Sequence, residues 1–323
     1  MKGDKPLISV LMAVYEPNLY WLRKQLLSIE AQTYPNLRLY IRDDGSSHVS
    51  FSDIQCCIRN TVVSIPYEIY RNNRNTGSNG TFEQLTAAAK GEYFAYCDQD
   101  DIWLPEKVET LYLEMLHTNA LLVCSDMYII DGSGRRVADS IRSVRRHHHF
   151  HSGTGLEEEL LFRNFATGCT MLIRSEMAKE AIPFCPYMVH DHYLALWCAA
   201  HGNIQSIQKP LIEYRIHQLN QTKLLAGVSS KQSYGEIRII RLQQRLKWLD
   251  KNFPCSLKLK KTLTDSIAWA DARAENWRHE GGKRIIWKYR KFSLLPSLFE
   301  LVAAEMPEPI FRFFIACGKR NLI

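Results

Sequence analysis

The chain has 323 residues, is 46% hydrophobic and 23% charged, and carries a formal net charge of +7, an ordinary profile for a soluble globular protein. Its nine cysteines are odd in number, scattered and never spaced C-x-x-C, which argues against a disulfide framework or zinc site and for a reducing cytosol. No run of about 18 apolar residues occurs, and the short apolar run after Lys2 and Lys5 stops at Glu16 and Pro17, so neither a membrane-spanning helix nor a signal peptide is expected.

Along the chain, residues 7–15 read as a buried strand broken by Pro17 and Asn18. Residues 19–32 place Leu22, Leu26 and Ile29 at helical spacing, and Tyr34-Pro35-Asn36 stops that helix. A second strand at 37–41 runs into Arg42-Asp43-Asp44-Gly45-Ser46-Ser47. A helix at 52–60, a strand at 67–70 and a polar turn at 72–80 follow. Residues 81–90 read as a helix closed by Gly91, and 92–97 as the strand before the acidic cluster. This alternation predicts an α/β fold with a doubly wound, mostly parallel sheet. Right-handed crossovers put the ends of the first, second and fourth strands on one edge, so Asp43 and Asp44 should face the crevice that holds Asp98, Asp100 and Asp101.

The segment Asp98-Gln99-Asp100-Asp101-Ile102-Trp103 packs three carboxylates into four positions after an apolar strand. Such a cluster repels itself and favours a hard divalent cation, Mn²⁺ or Mg²⁺, which completes its shell with substrate phosphates. The simpler reading is an acidic turn capping the next helix, with Asp101 as N-cap and Pro105 in the first turn. There is no G-x-G-x-x-G after the first strand and no G-x-x-x-x-G-K-[ST] anywhere, so phosphate must be held chiefly by metal. Asp44 suits a pyrimidine imide N–H; alternatively Asp43-Asp44-Gly45-Ser46 is a plain turn.

The ordered series Ser9-Val10-Leu11-Met12-Ala13-Val14-Tyr15, Gln32-Thr33-Tyr34-Pro35-Asn36, Asp43-Asp44-Gly45-Ser46-Ser47, Asn75-Thr76-Gly77 and Asp98-Gln99-Asp100-Asp101 resembles the family 2 glycosyltransferases, over roughly residues 6–220. The longer Asp98-Gln99-Asp100-Asp101-Ile102-Trp103-Leu104-Pro105-Glu106-Lys107 resembles their rhamnosyltransferase-like branch. The resemblance implies a GT-A fold and inverting, metal-dependent sugar transfer from a nucleotide-sugar donor. The donor would be dTDP-rhamnose or a UDP-sugar, and the acceptor a hydroxyl of a glycan or lipid-linked saccharide in bacterial surface polysaccharide synthesis. It implies donor contacts at Tyr15, Asp43, Asp44, Asn75, Gly77, Asp98 and Asp101, with Arg215 at the diphosphate, and metal ligands at Asp98, Asp100 and His217. It also implies Asp191, after a strand at 167–174, as catalytic base, with His190 where the family usually has Glu. A base at a helix N-terminus is expected to have a lowered pKa; the alternative for Asp191 is a helix cap alone. The Q-x-x-R-W signature of processive synthases is absent.

Residues 140–155, with Arg142, Arg145, Arg146, His147, His148, His149 and His151, read as a polar active-site flap or acceptor loop rather than a metal cluster. Trp103 reads as packing or as a sugar platform. The expected division is a catalytic domain at 1–225 and a basic, mostly helical region at 226–323; residues 236–323 alone carry net +9. Helices are expected at 234–252, 257–278, 294–303 and 310–317. The basic-aromatic stretch Lys283-Arg284-Ile285-Ile286-Trp287-Lys288-Tyr289-Arg290-Lys291-Phe292 suits an anionic membrane surface or a second subunit, which places the chain in the cytoplasm, peripheral to the membrane. No nucleic-acid reader motif is present. Rival classes are a nucleotidyl or phosphoryl transferase, which would need a phosphate loop, and a catalytically silent saccharide-binding relative, which should lack one of the acids.

Overall fold

The computed structural model describes residues 5–145, 148–217, 225 and 227–319. The chain divides into two compact units, one of Met1–Phe184 with Met188–His217 and one of Cys185–Tyr187 with Gln218–Ile323.

The first unit is built on one nine-stranded sheet. Its strands are β1 (Ile8–Val14), β2 (Leu37–Asp43), β3 (Tyr67–Arg71), β4 (Tyr93–Cys97), β5 (Ile102–Trp103), β6 (Leu122–Ile130), β7 (Arg136–Ala138), β8 (Met171–Arg174) and β9 (Ile204–Arg215). The order is β3-β2-β1-β4-β8-β6-β9-β5, with β7 on β6. The helices are α1 (Leu19–Glu30), α2 (Phe51–Arg59), α3 (Gly77–Ala88), α4 (Lys107–Thr118), α5 (Ile141–Val144), α6 (Glu157–Leu160), α7 (Ser175–Glu180) and α8 (His190–His201).

Strands β3, β2, β1 and β4 are parallel, as the alternation predicts. Beyond β4 the sheet is mixed: β8 runs antiparallel to both β4 and β6, while β6 and β9 are parallel. The core forms where the apolar runs of β1, β2 and β4 meet the inner stripe of α1, with Ile8, Val10, Met12, Leu39, Ile41 and Ala95 packed against Leu22, Leu26 and Ile29. The same registers fix the functional edge. Val14 lies opposite Asp43 and Met12 opposite Cys97, so Tyr15, Asp44 and Asp98 leave the sheet together.

Three sequence expectations are corrected. Helix α3 starts at Gly77, inside the expected polar turn, because a distant carboxylate holds its first turn. Residues Gly168–Thr170 form a 3₁₀ turn, and only Met171–Arg174 is strand. The expected flap at 140–155 carries helix α5 and a bridge from Gly153 to Ile204.

The second unit is helical among its described residues: α9 (Lys231–Tyr234), a π-helical segment (Gly235–Ile240), α10 (Arg241–Asn252), α11 (Leu257–Trp277), α12 (Lys283–Lys288), a 3₁₀ turn (Arg290–Phe292), α13 (Leu294–Ala303) and α14 (Glu308–Lys319). Tyr234, Trp277, Phe299 and Phe311 form its aromatic centre. Arg273 crosses this core to Glu300, with Nε and Nη2 each donating to a carboxylate oxygen at 2.6 Å. The Tyr234 hydroxyl donates to the same carboxylate at 2.8 Å, and the guanidinium lies 4.4 Å from the Trp269 ring centroid.

Breaking one side of a buried ion pair leaves the other charge uncompensated. Arg273→Ala should therefore destabilise the protein by about 3–5 kcal/mol, whereas Arg273→Met with Glu300→Leu should recover most of the loss. Denaturant titration checks this; equal stability of Arg273→Ala and the parent would show that the pair carries no such weight.

Candidate active site

The acidic cluster sits where β4 ends. Asp101 is fully buried; its Oδ1 accepts the Arg215 N–H at 2.9 Å, which ties the cluster to the end of β9. Its Oδ2 accepts no N–H or O–H among the described residues, and the Cys169 thiol lies beside it. Ligand atoms of Asp98, Asp101 and Cys169 lie within 4.8 Å of one another. Asp100 Oδ2 meets His217 Nε2 at 2.5 Å. The His217 ring packs 5.1 Å from Trp21.

This crowding shows in the acid strengths. Burial, then the charges of Asp100 and Asp191, push Asp98 up to about 7. Burial and the neighbours Asp100 and Asp98 push Asp101 up as well. Lys107 reaches the cluster from α4; it is fully buried, its Nζ has no hydrogen-bond partner among the described residues, and it lies 3.1 Å from the Trp103 ring centroid. Burial lowers Lys107 to about 7 despite the acids around it. A buried acid with an orphaned oxygen, a second acid raised by its neighbours, and a carboxylate–imidazole pair form a donor set that fits a hard divalent cation. Trp103 is buried, so the packing reading holds for it.

Asp191 opens α8 and caps no N–H deeper in its own helix. Its Oδ2 accepts the Gly168 N–H at 2.9 Å, and its Oδ1 accepts Asn164 Nδ2 at 3.1 Å and the His192 N–H at 2.5 Å. The expected lowering of its pKa is reversed: burial outweighs these N–H groups and Arg145, and raises Asp191 to about 6. Beside it, His190 stacks 4.0 Å from Phe82, and burial lowers its pKa to about 3, so the ring is neutral. Its Nε2 would lie 2.9 Å from a Cβ at residue 168, so any larger residue there would displace the buried His190 ring.

The donor-side residues divide sharply. Tyr15 is 45% exposed, and its backbone N–H and C=O are both paired by the side-chain amide of Gln99, at 2.9 and 3.0 Å. Asp44 Oδ1 accepts Asn72 Nδ2, the Thr76 N–H and Thr76 Oγ1, each at 2.8 Å, and Oδ2 accepts the Gly77 N–H at 2.8 Å. Asp44 thus clamps the start of α3 while Oδ2 keeps acceptor capacity. Asn75 Oδ1 also accepts the Gly77 N–H, at 2.9 Å, and Gly77 has φ +78°. Two expected donor contacts are already engaged within the chain. Asp43 is fully buried, accepting Ser46 N–H and Oγ and pairing with Arg71 at 3.2 Å. Arg215 is buried, and its Nε and Nη1 donate to the carbonyls of Asp100 and Asp131, at 2.7 and 3.0 Å, which ties it to the acidic cluster.

Sequence reasoning missed Gln99, Lys107, Asn164, Cys169 and Glu16. Only Lys107 and Gln99 lay inside a motif. Glu16, at φ +44°, offers its carboxylate to the N–H groups of Ser47, His48 and Val49, which hold it well below the usual carboxylate range. Of the histidine run, His147 lies outside the described residues. His148 is buried, and His151 pairs with Glu159 at 3.1 Å.

An acid cluster at the carboxyl edge of parallel strands, with a helix-borne carboxylate acting on it, marks a candidate active site. Residues 9–180 match Glycosyl transferase family 2, and the chain belongs to that family. It is 27% identical over 237 residues to an uncharacterized glycosyltransferase of Nostoc sp., covering 70% of this chain and 69% of that one. It is 25% identical to the dTDP-rhamnosyl transferase RfbG of Shigella flexneri, covering 68% and 76%. Its fold is similar to S. aureus TarS 1-349 in complex with UDP-GlcNAc, with TM-score 0.59 at 14% identity, covering 97% and 92%; it spans 52% of the longer TarS chain. The fold is of the GT-A type, and the chain is a glycosyltransferase.

Asp44→Ala removes the acceptor of the Thr76 N–H and leaves the Gly77 N–H with Asn75 Oδ1 alone, and should cost about 2–3 kcal/mol, the sum of a lost cap and buried unpaired donors. Hydrogen exchange should lose protection at the Thr76 and Gly77 amides; unchanged protection there would reject the clamp.

Proposed function

We propose that this chain is an inverting glycosyltransferase that moves a sugar from a pyrimidine nucleotide diphosphate donor to a hydroxyl of a glycan or lipid-linked saccharide. The observation that carries the reading is a pair of buried acids in the first unit, Asp98 at the sheet edge and Asp191 on α8, both held above the usual carboxylate range, with the Asp191 charge adding to the rise of Asp98.

Tyr15 would stack on the nucleobase, Asp44 Oδ2 would accept its imide N–H, and the Asn75–Gly77 turn would lie along the nucleoside. A divalent cation, Mn²⁺ or Mg²⁺, held by Asp98, Asp100 and His217, would neutralise charge on the departing diphosphate. Asp101 and Lys107 hold those ligands from behind. Asp191 takes the proton of the acceptor hydroxyl. The acceptor oxygen bonds the anomeric carbon as the bond to the diphosphate oxygen breaks, and its electron pair leaves with the diphosphate, inverting the centre. A base near pKa 6 is mostly ionised at neutral pH yet still basic enough to accept a proton. Gly168, Asn164 and His192 fix the carboxylate, and neutral His190 adds no competing charge.

The donor is best read as dTDP-L-rhamnose, on the likeness to RfbG, with UDP-hexoses next, on the likeness to TarS. Both carry a pyrimidine imide for Asp44. An acceptor on a lipid carrier would bring the chain to the cytoplasmic membrane face, as a monomer or homo-oligomer.

Asp191→Asn should keep nucleotide binding and lose transfer by about 10²–10⁴-fold. In the parent, kcat/KM should fall tenfold per pH unit below about 6, where the Asp191 carboxylate is protonated. Retained transfer in the variant, or a flat profile from pH 5 to 8, would remove the base assignment.

The donor reading is tested by thermal shift. With Mn²⁺, dTDP or dTDP-rhamnose at 100-fold over Kd should stabilise the protein by about 2.7 kcal/mol, and Asp100→Asn should abolish the metal dependence. Stabilisation by UDP-sugars alone would discard rhamnose, and none by any nucleotide would discard the donor site.

A further inference from the structure

Helix α13 is apolar on both sides, with Phe299 and Ala303 packed in the core of the second unit. Its polar residues face the core of the second unit: Ser297 Oγ accepts the Trp269 indole N–H at 3.1 Å, and Glu300, its one carboxylate, is buried in the Arg273 ion pair. Its large aliphatic side chains face outward, with Leu294 51%, Leu295 75%, Leu298 39% and Val302 64% exposed. A helix facing water would be expected to place polar side chains there. Beside it pack α12 and the 3₁₀ turn at Arg290–Phe292, which add an exposed Trp287 and Ile285. Residues 283–293 contain Lys283, Arg284, Lys288, Arg290 and Lys291 and no acid. Lys283 is partly answered by Glu305 at 3.2 Å, and Arg290 lies 4.3 Å from the Trp287 ring centroid.

We propose that this face of α12 and α13 docks on an anionic lipid surface, with Leu294, Leu295, Leu298 and Val302 at the acyl boundary and the cations on headgroup phosphates. The charge selects the occupant. In a two-fold dimer the same patch would meet itself and set these cations against their copies, whereas an anionic leaflet answers them. An indole beside basic side chains suits the headgroup level. The proposal deepens the lipid-linked-acceptor reading above by placing the contact on the chain, and it is tested without catalysis.

The full chain is sedimented with phosphatidylglycerol–phosphatidylcholine vesicles and with phosphatidylcholine vesicles alone. Binding should be at least about tenfold tighter to the anionic vesicles and weaken at high salt. Leu295→Asn with Val302→Asn should lower that affinity about tenfold, and Lys288→Glu with Lys291→Glu should erase the preference for anionic lipid. Both pairs sit on the surface, so melting temperatures should not move. Should either pair unfold the protein, brominated-lipid quenching of the parent, absent in Trp287→Phe, gives the same answer. No partition to anionic vesicles, or equal partition by the folded variants, overturns the proposal. So does a dimer in light scattering that the Leu295→Asn, Val302→Asn pair dissolves, since the face would then belong to a second copy. Neither result touches sugar transfer to a soluble acceptor, which tests the catalytic reading separately.

Discussion

Mutual repulsion among buried carboxylates is the constraint around which the first unit is organised. Asp98 and Asp101 are raised by burial and by the carboxylates around them, with Asp100 acting on both and Asp191 on Asp98. Such groups move apart unless rigid elements hold them. Arg215 does so from the end of β9, Lys107 from α4, and Gly168 and Asn164 from the segment facing α8. The sheet matters because it gives these holders fixed positions: the strand ends that carry the acids are pinned by the most deeply buried residues of the chain.

Both units bury charge, and both leave some of it short of partners. In the helical unit, Arg273, Glu300 and Tyr234 form a network in which both carboxylate oxygens are taken, while Arg273 Nη1 is buried without a hydrogen-bond partner among the described residues. In the sheet unit, Lys107 Nζ and His190 Nε2 are buried without one, and Asp101 Oδ2 has only the Cys169 thiol beside it. Such atoms carry a standing cost and persist where the surrounding packing over-determines them.

Much of this was legible from residue order. The apolar runs of β1, β2 and β4 and the acids that follow them share an edge because parallel strands with right-handed crossovers must end together. Helix α13 begins and ends where its leucine spacing says. What was not legible came from contacts between distant segments. Arg215 reads as a free cation, yet its guanidinium turns inward to two carbonyls. Asp191 reads as a carboxylate eased by a helix N-terminus, yet burial dominates. Lys107 sits in a plain helical start, and nothing local reveals that it lies under the acids. The exposed aliphatic face of α13 was not legible, since a helix expected at 294–303 does not say which side meets the core.

The clamp that Asp44 places on α3 also bears on how the chain folds. The acceptor and the amides it holds are separated by 32 and 33 residues, with β3 and α2 between them. Local sequence alone supports a helix only from about Thr81, where the expected boundary falls. The extra turn back to Gly77 exists once β2 has docked and delivered its carboxylate, so ordering of the Asn75–Gly77 turn is tied to completion of the sheet rather than to helix nucleation. Pairing of β2 therefore sets where α3 begins, so this edge reports on the integrity of the parallel half.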